Sequence, residues 1–447
     1  MTCPKRRRTR CKSPAGAAEL DAKTEDFVQR NLRWNFSVNL IDITFITLAF
    51  SLISRETIMP LLISNLTDSK IAIGLEPAIH SICFYLPQLF AANHTERLKR
   101  KLPFVMLVGG VVERLPYFFL ALAIGLLALT SPNLTLLIVY AVIALTAFGA
   151  GVATPAWYTM IGKVIPVNRR GIFSGIGHGL GALMGIFGAV LVGIALDEFA
   201  YPQNFAALFL AAAVFMGISW GGLALNREPA SPSVKEQISQ RQYFRQLPAV
   251  LGGNANFRRF LFAYSISRLG LMGASFFIVF GNERFALIGA EVGLLTAVLL
   301  GSQAVMQLAL GWLGDRRGHK LNLTIFAFAV ALAAALATVA SDIRGLLPAF
   351  ALLGTALAAD RISHLNIVLE FALPEDQPTF IGLTNTLLAP VVFLAPIIGG
   401  WVADIGFEPL FALMLVCGVI GGALLQFWVK EPRHHPPRAL APPEHGG

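Results

Sequence analysis

The sequence predicts an all-α membrane protein of twelve transmembrane helices, arranged as two pseudo-symmetric six-helix halves. Three observations predict it. Apolar runs of about twenty residues or more recur along the chain, each long enough to cross a hydrocarbon core of about 30 Å as a helix. Lys and Arg gather in alternate loops. The first half of the chain is partly repeated in the second. Composition agrees: of 447 residues, 55% are hydrophobic and only 14% charged, with a mean hydropathy of +0.65. A soluble chain of this length is less apolar and about a quarter charged.

The spans fall at 36–62, 71–92, 104–129, 134–161, 172–196, 204–225, 260–280, 287–313, 321–340, 345–369, 379–403 and 409–429. Most breaks between them are short and carry Pro, Gly, Asp or Asn, as turns do. The one long break is polar throughout and contains Arg227-Glu-Pro-Ala-Ser-Pro-Ser. It divides the chain into a basic tail at 1–33, an N-terminal half at 34–225, a linker at 226–259, a C-terminal half at 260–429 and a second tail at 430–447.

A net charge of +9 is compatible with nucleic-acid binding, but the positions of the bases argue otherwise. With the N-terminus inside, the outer loops hold only Lys70, Arg284 and Arg344, and four more bases, Arg55, Arg114, Arg268 and Arg361, fall within spans. All the rest of the 35 Lys and Arg lie in tails or loops on the inner side. That bias orients a membrane protein with both termini cytoplasmic and accounts for the basic balance without nucleic acid. Residues 1–33 have no apolar core, so they do not read as a cleaved leader, and Arg6-Arg7-Arg8 reads as part of an inside-facing tail. With no organelle signal, the expected location is the cell membrane. Cys3, Cys11, Cys83 and Cys417 form no Cys-x-x-Cys pair, so neither a metal site nor a disulfide framework is indicated, and no cofactor is expected.

The repeat appears when 74–101 is set against 293–320. Gly74, Leu75, Ala78, Gln88, Leu89, Arg97 and Lys101 meet Gly293, Leu294, Ala297, Gln307, Leu308, Arg316 and Lys320. Each half also ends in a basic–Glu–Pro triplet, Arg227-Glu228-Pro229 and Lys430-Glu431-Pro432. Repeats of several helices are a transporter signature, with the substrate site near the bilayer midplane between them.

The loop after the eighth span reads Gly311-Trp-Leu-Gly314-Asp315-Arg316-Arg-Gly318-His-Lys320. With this motif the chain, over roughly 34–430, resembles the major facilitator superfamily of secondary transporters. The family normally carries its stronger copy after the second span. Here that copy, with Glu96, Arg97, Lys99, Arg100 and Lys101, keeps its charges but lacks both glycines. The resemblance implies a cytoplasmic gate, with Glu96 facing the start of the eleventh helix near Thr379 and Asp315 facing the start of the fifth near Gly171. Such contacts would close the cytoplasmic side in the outward-open state. Gly311 and Gly314 allow close helix approach, and Gly318 permits a sharp turn. A second inner-side pair, Arg169-Arg170 against Glu375-Asp376, occupies equivalent loops and is expected to attract across the closed gate. The alternative for both features is a set of solvated, charged loops.

An ionised side chain at mid-membrane costs about 2.5–3.5 kcal/mol or more, so those present must be paired, face a cavity or function. Within the spans the acids are Asp42, Glu56, Glu76, Glu113 and Asp360, against Arg55, Arg114, Arg268 and Arg361. Near-neutrality makes structural pairing a serious alternative for the set. Glu76 with His80 and Asp360 with His364 are i, i+4 pairs on one helix face, the arrangement a proton-coupled carrier needs. The resemblance implies that spans 1, 4, 7 and 10 line the cavity, which places Asp42, Arg268, Asp360 and Arg361 near the substrate path. It also makes the third helix peripheral, so Glu113 and Arg114 are expected to serve packing, with Pro116 kinking the helix. The fourth span lacks the Arg usual in the family's proton-coupled drug exporters, and the fifth keeps a Gly stripe without the antiporters' Gly-Pro pair.

The expected function is secondary active transport of a small organic solute by alternating access, proton-coupled and monomeric in the bilayer. Arg268 and Arg361 favour a carboxylate or phosphate on the solute. The alternatives are a transport-fold receptor or sensor and a lipid-acting membrane enzyme. The latter lacks a clustered nucleophile or metal set.

Overall fold

The computed structural model describes residues 14–95, 98–230, 254–372 and 377–434. Its helices are α1 (Pro14–Leu52, resuming at Ile58–Leu66), α2 (Lys70–Thr95), α3 (Leu102–Leu127), α4 (Pro132–Val164), α5 (Val167–Glu198) and α6 (Gln203–Ala224) in the first half. The second half has α7 (Ala255–Leu269, resuming at Phe276–Phe285), α8 (Gly289–Arg317), α9 (His319–Val339), α10 (Ile343–Glu370), α11 (Gln377–Ile405) and α12 (Phe407–Ala423, running on to Trp428). Among the described residues, eleven helices are long and apolar enough to cross a membrane. The twelfth, α2, is interrupted in hydropathy by Glu76, His80, Pro77 and Pro87. Two boundaries differ from expectation: α1 reaches back to Pro14, inside the segment read as a tail, and α7 starts at Ala255, inside the linker.

Two spans expected to be continuous are broken. Helix α1 stops at Leu52 and resumes at Ile58. Pro60 explains this, because its ring removes an amide donor and clashes with the carbonyl four residues earlier, that of Glu56. Helix α7 tightens into a 3-10 turn at Gly270–Gly273 before resuming at Phe276. In α3 the backbone opens into a π segment at Met106–Val112, and the α-helix resumes at Pro116. The α-helical ladder is thus interrupted in the turn before this proline, where its ring removes a donor.

Each half uses the same packing plan. Helix α1 packs on α5 and α6, α2 on α4, and α3 on α4 and α6. Correspondingly α7 packs on α11 and α12, α8 on α10, and α9 on α10 and α12. Between halves, α2 meets α11, α5 meets α8, and the second segments of α1 and α7 meet.

These inter-half contacts lie at one end of the bundle. A Cβ on Gly74 would fall on the Pro396 carbonyl, and one on the equivalent Gly293 would crowd the Ala189 carbonyl at 2.7 Å. Four residues before each glycine, a carboxylate from the other half caps a helix. Asp404 accepts from the Lys70 amide at 2.9 Å, and Asp197 accepts from the Gly289 and Ala290 amides at 2.6 and 2.8 Å. These are the free N–H groups at the start of α2 and α8, where negative charge is favoured. Lys70 Nζ also meets Glu283 at 3.1 Å and lies 3.9 Å from the centre of the Phe407 ring. Toward the face that carries the basic loops, Tyr158 and Ile176 of one half and Arg361 and Leu365 of the other are exposed.

Candidate functional site

Between the halves, where α1 and α7 both break, lies a cavity of about 160 Å³. Its wall includes Arg55 and Glu56 of the α1 break, Ser81 of α2, Arg268 and Ser275 of α7, Leu357 of α10 and Pro396 of α11. Broken helices are tolerated at this depth where the freed backbone lines a cavity.

Each half brings a guanidinium–carboxylate pair to this level. Arg55 donates from Nε and Nη2 to Glu76 Oε1 at 3.1 and 3.0 Å. Glu76 is only 2% exposed, and its other oxygen, Oε2, is buried without a hydrogen bond. In the second half Arg268 bonds Asp360 Oδ2, and Tyr264 Oη donates to Asp360 Oδ1 at 2.5 Å. Arg361 is exposed. It lies one helical turn beyond the cavity-lining Leu357, on the same face of α10.

The i, i+4 carboxylate–imidazole pairs of the sequence reading are not made. His80 stacks on Phe84 with ring centres 5.6 Å apart. His364 Nδ1 lies 3.2 Å from the Asp360 backbone oxygen rather than from its carboxylate. In both cases an arginine on another helix has taken the acid. A guanidinium is permanently charged and presents several donors at once, which a neutral imidazole cannot match.

Asp42 is also not where it was expected. It is 2% exposed and enclosed within the first half. Ser219 Oγ donates to it at 2.6 Å, Arg114 Nη2 at 3.3 Å and Trp157 Nε1 at 3.2 Å. Arg114 further donates to Gly109 O at 2.5 Å and to Glu113 at 3.2 Å. This network ties α1, α3, α4 and α6 together. It is the packing role expected of Arg114 and Glu113, and it claims Asp42 as well.

On the basic face, Gly318 has φ +89° and joins α8 directly to α9. Gly314 leaves no room for a side chain, since His319 and Asn322 would lie within 2.8 Å of its Cβ. Gly311 is looser, with only Ile362 at 4.0 Å. Lys320 Nζ donates to the Gln426 and Val429 carbonyls at 3.0 Å each, and Arg316 stacks over Trp312 at 4.2 Å. Asp315 is exposed, and its carbonyl accepts from Arg433 at 2.7 Å. Among the described residues, Asp315 forms no ion pair across the halves, so the gate contact expected for the outward-open state is not seen. Glu96 and Arg97 lie outside the described residues, as do Glu375 and Asp376 of the expected gate pair. Arg169 is exposed, and Arg170 folds back to the Ile165 and Gly162 carbonyls at the end of α4.

The repeated triplets prove to be clasps. Glu228 accepts from the amides of Lys101 and Leu102, at 2.7 and 2.8 Å, and from Lys163 Nζ at 2.7 Å. It thereby ties the end of α6 to the start of α3. Glu431 lies against Gly318 at the start of α9, the equivalent place. Arg433 beside it bonds Glu370 at 2.7 Å. Sequence reasoning found the triplets but not this role. It counted Arg55 and Glu56 among the membrane charges without assigning them to the site, although Pro60 signals the break that exposes them.

Residues 260–445 match the Major Facilitator Superfamily. No curated protein matches the sequence. Among solved structures, a mutant of the nucleoside transporter NupG superposes with a TM-score of 0.68 at 14% identity, covering 88% of this chain and 98% of that one. A bacterial homologue of the human lysosomal transporter Spinster, inward-facing and unoccupied, gives 0.63 at 14% identity, covering 91% and 97%. At these identities the likeness is one of fold.

Proposed function

We propose that this protein, a multi-pass membrane protein with the Major Facilitator Superfamily fold, is a secondary active transporter of a small organic solute, working by alternating access and coupled to protons. The observation that carries this reading is the cavity at the level of the two helix breaks, clamped off at one end and flanked by an ion pair from each half. The charge asymmetry of the loops supports a cytoplasmic basic face and cytoplasmic termini, and the protein acts as a monomer in the cell membrane. On that orientation the conformation is inward-open.

The substrate and proton pathway runs past Arg55, Glu56, Glu76, His80, Arg268, Asp360, Arg361 and His364. Glu76 is the proton site in the first half: its buried, unbonded Oε2 is the position at which a proton satisfies the carboxyl once Arg55 turns away. Asp360 plays the equivalent part against Arg268. When the basic face closes, Asp315 reaches the start of α5 and Glu96 the start of α11, and Arg169-Arg170 face Glu375-Asp376.

Proteoliposomes with a trapped pH-sensitive dye test this reading, using a panel of organic cations, organic anions, sugars and nucleosides. A solute-dependent proton signal abolished by Glu76→Gln or Asp360→Asn is the expected result. Solute flux without proton movement would overturn the coupling. Solute binding without flux would overturn transport.

A further inference from the structure

We infer that Glu56 makes the cavity selective for a solute carrying a cationic group, a basic nitrogen that its carboxylate binds. The inference rests on the cavity being the solute site and names the substrate class that site takes. It corrects the simple expectation that arginines at mid-membrane select an anion.

The charges around the cavity decide the matter. Its two guanidiniums are already matched, Arg55 by Glu76 and Arg268 by Asp360. Both carboxylates come from α2 and α10, and the cavity lining includes neither Glu76 nor Asp360. Glu56 is different. It lines the cavity, is half-buried, and among the described residues forms no ion pair. Ser54 Oγ donates to its carboxylate at 3.3 Å. Two bases against Glu56, Glu76 and Asp360 leave one negative charge uncompensated at the wall. Arg361, the next base along α10, is exposed toward the basic face and so is compensated by water. An unpaired carboxylate at this depth is costly, and an entering cation relieves that cost, whereas an entering anion must displace a carboxylate from one of the two arginines. The break in α1 holds Glu56 in place, because Pro60 prevents the helical path that would carry its side chain elsewhere. Ser81, Ser275, Leu271, Met272 and Val392 complete a wall that is otherwise mild in polarity and suits the carbon body of a small amine.

The sign of the cavity's potential can be read without knowing the solute. In a chain with all four native cysteines replaced by serine, Ser81→Cys supplies a thiol in the cavity wall. Its modification rates by a cationic trimethylammonium methanethiosulfonate and by the anionic sulfonate analogue are compared. The inference predicts that the cationic reagent reacts faster relative to free thiol in solution. Glu56→Gln lowers the cation-to-anion rate ratio about tenfold, since one unit charge on the same cavity wall acts oppositely on the two reagents. Glu56→Asp retains most of the preference, and both variants melt near the parent, which keeps a folding defect apart from a charge effect. Faster reaction of the anionic reagent, or a ratio unchanged in a folded Glu56→Gln protein, would overturn the inference. Because the readout needs no flux, that failure is distinct from a failure of the transport reading, which only the proteoliposome assay decides.

Discussion

The two halves of the molecule agree at their faces and differ at their centres. At one face Asp404 caps α2 and Asp197 caps α8, with Gly74 and Gly293 in matching close approaches. At the other, Glu228 and Glu431 sit at the starts of α3 and α9. Between the faces the match ends. The first half pairs Arg55 with Glu76 across α1 and α2, and encloses a second network around Asp42 and Arg114. The second half pairs Arg268 with Asp360 across α7 and α10, and buries apolar side chains such as Phe260, Leu261 and Ala333 in the core of the same helices, α7 and α9. On the proposed function, the repeated parts are those that would let two rigid bodies rock against each other, and the unrepeated parts are those that would touch a solute or hold one half together.

The largest break in this comparison is expected at Asp42 and Arg114. Arg114→Ala leaves a buried carboxylate without its cation, and loss of one partner of a buried pair costs about 3–5 kcal/mol. Thermal melting of the purified protein should fall sharply. An unchanged melt would remove the pair from the first half's framework.

The next effect separates stability from function in the second half. Asp360→Asn should destabilise through unpaired Arg268. The double change Arg268→Met with Asp360→Leu replaces the pair by apolar groups, so stability should largely return while solute flux does not. Recovery of flux in the double variant would make the pair a packing device and deny it a place in the pathway.

Smaller and symmetrical effects should follow at the clasps. Glu228→Gln and Glu431→Gln each weaken a helix-start contact, and caps are worth about 0.5–2 kcal/mol. Melting shifts of similar size would support their equivalence, whereas a shift in only one half would break it. Gly318→Ala should cost about 1–3 kcal/mol, because φ +89° with ψ 154° is a backbone region held almost only by glycine, and contact with Glu431 adds to it.

Much of this was legible in the sequence, and the remainder shows what sequence cannot carry. Spans, halves and the turn at Gly318 follow from hydropathy, charge asymmetry and glycine placement, which are local properties. Arg268 was legible as a cavity charge, whereas Arg55 and Glu56 were counted only among the membrane charges and Asp42 was placed on the path it does not line. The partners of these charges were not legible. Arg55 reaches Glu76 on the next helix, Asp42 finds Arg114 two helices on, and Arg268 finds Asp360 three helices on. The i, i+4 spacing of Glu76 with His80 was the pairing a single helix could offer, and a stronger cation from another helix displaced it. Pro60 carried a signal of the break in α1, through the clash with the carbonyl of Glu56, which the reading of 36–62 as one continuous span passed over.

The central claim, that two pseudo-symmetric bodies rock about the cavity, is tested most directly by spin-label distances at both faces. Lys99→Cys with Arg316→Cys reports the basic face, and Thr130→Cys with Ser341→Cys reports the other, each in a chain whose native cysteines are serine. Removing both helix caps, by Asp197→Asn with Asp404→Asn, weakens the clamp that holds this conformation. The account predicts reciprocal change: a shorter distance between labels at 99 and 316 gains population as a longer one appears between 130 and 341. Opening at one face with no closing at the other would contradict it.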